Sequence, residues 1–412
     1  METPMTPPTD PSDPSAWTGR FSPRMAHVRA SEIRELLKLL DQPDIISFAG
    51  GIPDPALFPL ERVQAAYAAV LAENGQAALQ YSVSEGLPAL RAWIAERMTA
   101  AGAPCGLDNI LITAGSQQAL DLIGKLFLAP GDTVLVERPT YMGALGAFNA
   151  YEPTYAALDL AGPPPAGARL AYVVPDFANP SGRTWPRRER EALLDLAEAG
   201  DLVLVEDAAY RELGFGGTAE PALLALDIAR SGSIEAARTL FCGTFSKTLS
   251  PALRLGWVCG PRAVIDRLVL LKQGGDLHAS TINQMVAARV VSEGHEAHLE
   301  RLRAAYRAKS EAMQAALARH MPLGVSWSKP QGGMFVWVTL PPGFDGAQLL
   351  EACLAEERVA FVPGAPFYAV EPDAASLRLS YSLPTADDID EGVRRLGRAI
   401  AARMGGAMAK VG

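Results

Sequence analysis

Lys247 stands between two hydroxyls in the run Gly243-Thr244-Phe245-Ser246-Lys247-Thr248, and Arg254 follows seven residues later. An amine, two hydroxyls and a guanidinium at this spacing suit an aldehyde that carries a phosphate. The amine condenses with the carbonyl as a Schiff base, while the hydroxyls and the guanidinium hold phosphate oxygens. Forty residues upstream, the apolar run Leu202-Val203-Leu204-Val205 leads through Glu206 to Asp207. A carboxylate at that point can pair with a protonated pyridine nitrogen. Together the two sites point to pyridoxal phosphate. Each has a plainer reading when taken alone: a lysine after a strand is usually solvated, and an acid after a strand usually caps a helix. A nucleotide-binding phosphate loop does not fit, because it needs glycine directly before the lysine, where this chain has Phe245-Ser246.

The task of Asp207 can be sized. A pyridine nitrogen is a weak base, and the ring withdraws electrons best when that nitrogen is protonated. An opposite charge about 4 Å away contributes about 4 kcal/mol at an effective dielectric of 20. That raises the ring pKa by about 3 before desolvation opposes it. Tyr210, three residues on, and Asn179, in the turn Asn179-Pro180-Ser181-Gly182, can bond the phenolic oxygen of such a ring, and Tyr141 can stack on it. Gly115-Ser116-Gln117 opens a helix, whose free N–H groups and dipole favour phosphate. Singly, Ser116 reads as a helix cap and Asn179 as a turn residue; their joint placement on successive strand ends favours the cofactor reading.

These residues need a frame that brings strand ends together. From residue 109 the pattern alternates strand and helix. Strands are predicted at 109–113, 133–137, 170–174, 202–206, 239–242 and 255–259, with helices at 117–128, from about 141 to 151, and at 187–199. That alternation implies a mostly parallel sheet covered by helices, in which ligands lie beyond the carboxyl ends of the strands. Helices are also expected at 30–40, 60–74, 87–101 and 261–273, and over 281–320 with a break near Gly294. Residues 48–53, Phe-Ala-Gly-Gly-Ile-Pro, read as a loop where backbone can approach a ligand closely. After residue 320 the pattern changes to antiparallel strands at 325–327 and 334–340, a helix at 347–357, strands at 359–362 and 376–380, and a last helix at 387–404. This reads as a smaller α+β unit.

Whole-chain properties narrow the function class. The chain has 412 residues, 49% hydrophobic and 20% charged, with net charge −9. No basic face or Lys/Arg run offers a nucleic-acid surface. Cys105, Cys242, Cys259 and Cys353 are widely spaced and read as free thiols of a reducing cytoplasm rather than a disulfide or zinc framework. His295 and His298, three apart on a helix, read as solvated residues rather than metal ligands, and no metal is expected. The first sixteen residues, rich in Pro, Thr, Ser and Asp, read as a disordered tail and not a signal peptide. No apolar run reaches eighteen residues, so no membrane span is expected.

Over residues 24–404 the chain resembles a fold-type I pyridoxal-phosphate enzyme of the class I/II aminotransferases, and more narrowly the 2-aminoadipate aminotransferase group. The resemblance rests on Ser47-Phe48-Ala49-Gly50-Gly51-Ile52-Pro53, Leu79-Gln80-Tyr81-Ser82, Thr113-Ala114-Gly115-Ser116-Gln117-Gln118-Ala119-Leu120, Asn179-Pro180-Ser181-Gly182, Glu206-Asp207-Ala208-Ala209-Tyr210, Phe245-Ser246-Lys247 and Leu377-Arg378-Leu379-Ser380. It implies an α/β large domain with a seven-stranded, mostly parallel sheet and a smaller α+β domain. The expected division is a tail at 1–20, an N-terminal segment at 21–55 joining the small domain, a cofactor-binding domain at 56–310 and the small domain at 311–412.

It further implies that Lys247 binds the cofactor and moves the substrate α-proton, and that Asp207 holds the ring nitrogen. Asn179 and Tyr210 bond the phenolic oxygen, and Tyr141 stacks on the ring. Ser116, Gln117, Ser246 and Arg254 hold the phosphate, joined by Tyr81 from the partner of a homodimer. Gly51, Asn179 and Arg378 receive the substrate, with Arg378 gripping the α-carboxylate. Arg34 is placed to meet a side-chain carboxylate, although Glu32 two residues away works against an acidic substrate. The implied reaction passes an amino group between an L-amino acid, 2-aminoadipate first, and 2-oxoglutarate. Leucine-like or aromatic donors are the alternative. Two rivals remain: a β-lyase or decarboxylase on the same cofactor, and an aminotransferase-like effector domain of a transcription regulator. The thirty or so residues ahead of the match are too few for that regulator's DNA-binding domain.

Overall fold

The computed structural model describes residues 17, 19–28, 44–217 and 219–408. The tail expected at 1–16, the helix expected at 30–40 and Arg34 therefore lie outside the described residues. The first described strand, β1 (Ile46–Ser47), pairs in parallel with β11 (Val359–Ala360). Between them lies a seven-stranded sheet built from β2 (Ile110–Thr113), β3 (Thr133–Val136), β4 (Thr154–Ala157), β5 (Ala168–Val173), β6 (Val203–Asp207), β7 (Thr239–Thr244) and β8 (Gly256–Cys259). The spatial order is β2-β8-β7-β6-β5-β3-β4. Strands β7, β6, β5, β3 and β4 run parallel, and β8 is antiparallel to both of its neighbours. Strand β2 (Ile-Leu-Ile-Thr) and strand β7 are buried along their whole length. Continuous apolar runs of this kind are what a sheet covered on both faces demands.

Strand β4 was not anticipated. It is an edge strand whose sequence, Thr-Tyr-Ala-Ala, is only half-buried, so it carries neither a full apolar run nor a clean alternation. The helix Leu223–Ser231 was likewise not anticipated. Its first two N–H groups are taken by the Glu206 side chain, Leu223 N to Oε1 and Leu224 N to Oε2, both at 2.9 Å. A distant carboxylate thus supplies the cap that local sequence lacks.

The second sheet joins β12 (Val362–Pro363), β13 (Ser376–Ser380), β10 (Phe335–Thr339) and β9 (Ser326–Trp327), all antiparallel. The single strand expected at 359–362 is two strands, one in each small sheet. The helix expected at 347–357 ends at Ala352 and continues as a π turn through Glu357. The first large helix runs on to Ala78 with a kink at Asn74. The long helical region breaks at Gly294 (φ 63°) into Thr281–Ser292 and His295–His320.

His295 and His298 are buried, contrary to the expectation of solvated residues. His295 meets the edge of Trp93 at 5.0 Å, and burial pulls the His298 pKa down to about 4, aided by Arg301. Their face of the helix packs inward, which a three-residue spacing of histidines does not reveal.

Candidate active site

The carboxyl ends of β2, β3, β5, β6 and β7 open on one cavity of about 380 Å³. Of the residues named from sequence, Gly51, Ser116, Gln117, Tyr141, Asn179, Asp207, Tyr210, Ser246, Lys247, Arg254 and Arg378 all line it. Tyr81 does not. It is 78% exposed and meets the edge of His278 at 5.8 Å on the protein surface.

One end of the cavity is built for an anion. Gly115 (φ 85°) caps the helix Ser116–Phe127, and the Arg254 guanidinium lies over it: a Cβ on Gly115 would stand 2.5 Å from Arg254 Nη2. Arg254, itself left-handed at φ 51°, donates from Nη2 to Ala114 O at 3.1 Å. Thr244 accepts from Ser246 N at 3.1 Å and donates to the Ser246 hydroxyl at 3.0 Å. Sequence reasoning missed Thr244; its place two residues before a serine was the available signal. The helix start, Ser116, Ser246 and Arg254 therefore converge on one end of the cavity, with donors that suit an anion.

At the centre, Lys247 Nζ donates to Gly51 O at 3.1 Å and lies 5.8 Å from the centroid of the Tyr210 ring. Burial lowers the pKa of this amine to about 8; Arg378 and Arg254 push the same way, and Asp207 opposes them. Asp207 is buried, which raises its pKa, while hydrogen bonds from Tyr172 and Ala209 N and the charge of Lys247 counteract. Tyr141 is pushed up to about 12 by burial and by Asp207, so its phenol stays protonated.

The loop that carries Asn179 is clamped beneath. Glu137 accepts from Val174 N at 2.7 Å and from Trp185 Nε1 at 2.8 Å. The fully buried Arg190 bonds Pro175 O, Trp185 O and Asp176.

At the far wall Arg378, on β13, is 1% exposed. It donates from Nη1 to Asn179 Oδ1 and from Nη2 to Ala49 O, both at 2.8 Å. Phe335 and Phe367 flank it, with ring centroids 4.4 and 5.3 Å from the guanidinium carbon. Its Nε is buried without a partner. Among the described residues no carboxylate forms an ion pair with it, and desolvation lowers its pKa to about 10. A buried cation that lacks a counter-charge and keeps free donors is chemically suited to receive a carboxylate.

This donor set fits pyridoxal phosphate: an anion cradle, a buried amine of lowered pKa, and a buried carboxylate in the same cavity. The fold and the site define an aminotransferase of fold type I. Residues 43–154 and 171–396 match the family model for aminotransferase class I and II, and the chain belongs to that family. It is 43% identical over 402 residues to 2-aminoadipate transaminase of Thermus thermophilus, covering 93% of this chain and 97% of that one. Among solved structures it resembles LysN, the alpha-aminoadipate aminotransferase of Thermus thermophilus, complexed with N-(5'-phosphopyridoxyl)-L-leucine. There the TM-score is 0.85 at 42% identity, with 94% of this chain and 99% of the other covered. It also resembles the kynurenine aminotransferase of Pyrococcus horikoshii, at TM-score 0.86 and 40% identity over 94% and 98% of the two chains.

Proposed function

We propose that this aminotransferase passes the amino group of 2-aminoadipate to 2-oxoglutarate on pyridoxal phosphate, and also accepts leucine-like and aromatic donors. The observation that carries the transamination reading is the convergence of Lys247, Asp207 and Arg378 on one cavity. Identity to a 2-aminoadipate transaminase supports the donor. A structural neighbour holding a phosphopyridoxyl-leucine supports the wider range.

Bound pyridoxal phosphate supplies an electron sink for the pair released at the substrate α-carbon. Lys247 would hold the cofactor through its amine and would move the proton at that carbon. Asp207 keeps the ring nitrogen charged. Asn179 and Tyr210 would bond the ring's phenolic oxygen, and Tyr141 would stack on the ring. Ser116, Gln117, Ser246 and Arg254 receive the phosphate. Arg378 takes the α-carboxylate with the donors left free by Asn179 and Ala49. Arg34 is assigned to a distal carboxylate. We assign Tyr81 to the partner's site of a cytoplasmic homodimer, a reading supported by its exposure beside the exposed Leu79 and Val83.

The test is a panel of amino acids with 2-oxoglutarate, repeated with Arg34→Ala and Lys247→Ala. Wild type should form glutamate from 2-aminoadipate, and Lys247→Ala should lose both turnover and the visible cofactor band. Turnover without any keto acid would replace transamination by a lyase or decarboxylase. Equal loss of kcat/KM for 2-aminoadipate and leucine in Arg34→Ala would remove Arg34 from the substrate site.

A further inference from the structure

Tyr172 had no part in the sequence argument, yet it touches the central carboxylate. It lies on β5 opposite Val205 of β6, is fully buried, and donates from its hydroxyl to Asp207 Oδ2 at 2.8 Å. The other oxygen, Oδ1, receives the backbone N–H of Ala209 at a longer 3.3 Å. The carboxylate is therefore held unequally, one oxygen anchored by a phenol and the other held more loosely in the cavity that Asp207 lines. The Tyr172 ring is fixed in turn, edge-on to Phe148 at 5.9 Å.

We propose that Tyr172 is a positioning residue that decides where the proton between Asp207 and the cofactor's ring nitrogen resides, by making the carboxylate the weaker base of the pair. The inference rests on the reading that Asp207 meets that nitrogen. A proton shared by two buried bases goes to the stronger one. Burial strengthens the carboxylate as a base, and a hydrogen bond to its ionised form weakens it. Among the described side chains, Tyr172 is the one that donates to it. Burial and the neighbouring Asp207 raise the Tyr172 phenol well above its ordinary range, so it keeps its proton and acts as donor only. One charge-assisted hydrogen bond in a buried site makes Asp207 a stronger acid by about 10- to 100-fold. Without it, the proton moves toward Asp207, the ring becomes neutral, and the ion pair that helps to retain the cofactor is lost.

Tyr172→Phe keeps the ring and removes the hydroxyl. Wild type and variant are reconstituted with pyridoxal phosphate labelled with 15N in the ring, and the 15N chemical shift and the cofactor dissociation constant are measured. The expected result is a protonated nitrogen in wild type, a shift toward the unprotonated value in the variant, and a dissociation constant raised roughly tenfold. A merely space-filling tyrosine moves neither. A protonated wild type with an unchanged variant overturns the role of Tyr172 and leaves that of Asp207 standing. An unprotonated nitrogen in wild type overturns the Asp207 reading itself. Should Tyr172→Phe fail to fold, Tyr172→3-fluorotyrosine donates more strongly from the same shape. It should move the 15N shift further toward the protonated value or, where wild type is already fully protonated, lower the dissociation constant; no change in either measurement overturns the proposal.

Discussion

Arg378→Lys keeps the positive charge and destroys the fork, so it isolates geometry from charge. The guanidinium has five N–H donors, of which two are spent inside the protein, on Asn179 Oδ1 and Ala49 O. Three remain, including the unpartnered Nε. An ammonium has three donors in all. If it keeps both internal bonds, one donor is left for substrate, and a bidentate grip becomes a single contact. The loss is one charge-assisted hydrogen bond, about 1.5–3 kcal/mol. At 1.36 kcal/mol per tenfold, kcat/KM should fall by about 10- to 150-fold for amino acid and keto acid alike, because both carry the same carboxylate. The assay is single-turnover kinetics of each half-reaction with several amino acids and with 2-oxoglutarate. Cofactor content and thermal midpoint are checked alongside. A fall below about threefold in a folded, fully loaded variant refutes the assignment of the α-carboxylate to Arg378, as does a loss confined to the amino acid.

Two further outcomes follow from the same geometry. With its pKa lowered to about 8, the cofactor-free Lys247 amine is neutral above that value and increasingly charged below it. Uptake of pyridoxal phosphate by the cofactor-free protein should rise with pH through a midpoint near 8 and level off about one unit higher; stopped-flow absorbance reads this, and a midpoint near 10 contradicts it. Tyr81→Phe should raise the cofactor dissociation constant by about tenfold while leaving the fold intact, since the side chain is exposed in its own protomer. Equilibrium dialysis measures it, and an unchanged constant removes Tyr81 from the partner's site.

The strand ends were legible because the sheet is buried on both faces, which writes each strand as an apolar run and each strand end as a change of composition. Lys247, Asp207 and Asn179 all stand at such changes. The supporting residues were not legible for a related reason. Tyr172 sits within an apolar strand, where a tyrosine reads as core, and its hydroxyl finds Asp207 only through the pairing of β5 with β6. Glu137 and Arg190 clamp the Asn179 loop through contacts 48 and 14 residues away, to Trp185 and Asp176 respectively. No local pattern encodes such separations. Strand β4 was missed because an edge strand need not be apolar.

The balance of charge in the cavity links binding to basicity. The chain carries a net charge of −9, yet Lys247, Arg254 and Arg378 line a cavity in which Asp207 is the one carboxylate among the lining residues. After burial, the charge of Arg378 is the largest influence holding the Lys247 pKa down. A carboxylate seated on Arg378 cancels that influence. On the proposed roles of Arg378 and Lys247, substrate binding would therefore make Lys247 a stronger base when a base is needed at the α-carbon. The cofactor-free protein separates this effect from the fork. Arg378→Met removes the charge and should move the pH midpoint of cofactor uptake upward from about 8. Arg378→Lys keeps the charge and should leave the midpoint in place. If both variants retain the wild-type midpoint, burial alone sets the pKa of Lys247 and the proposed coupling fails.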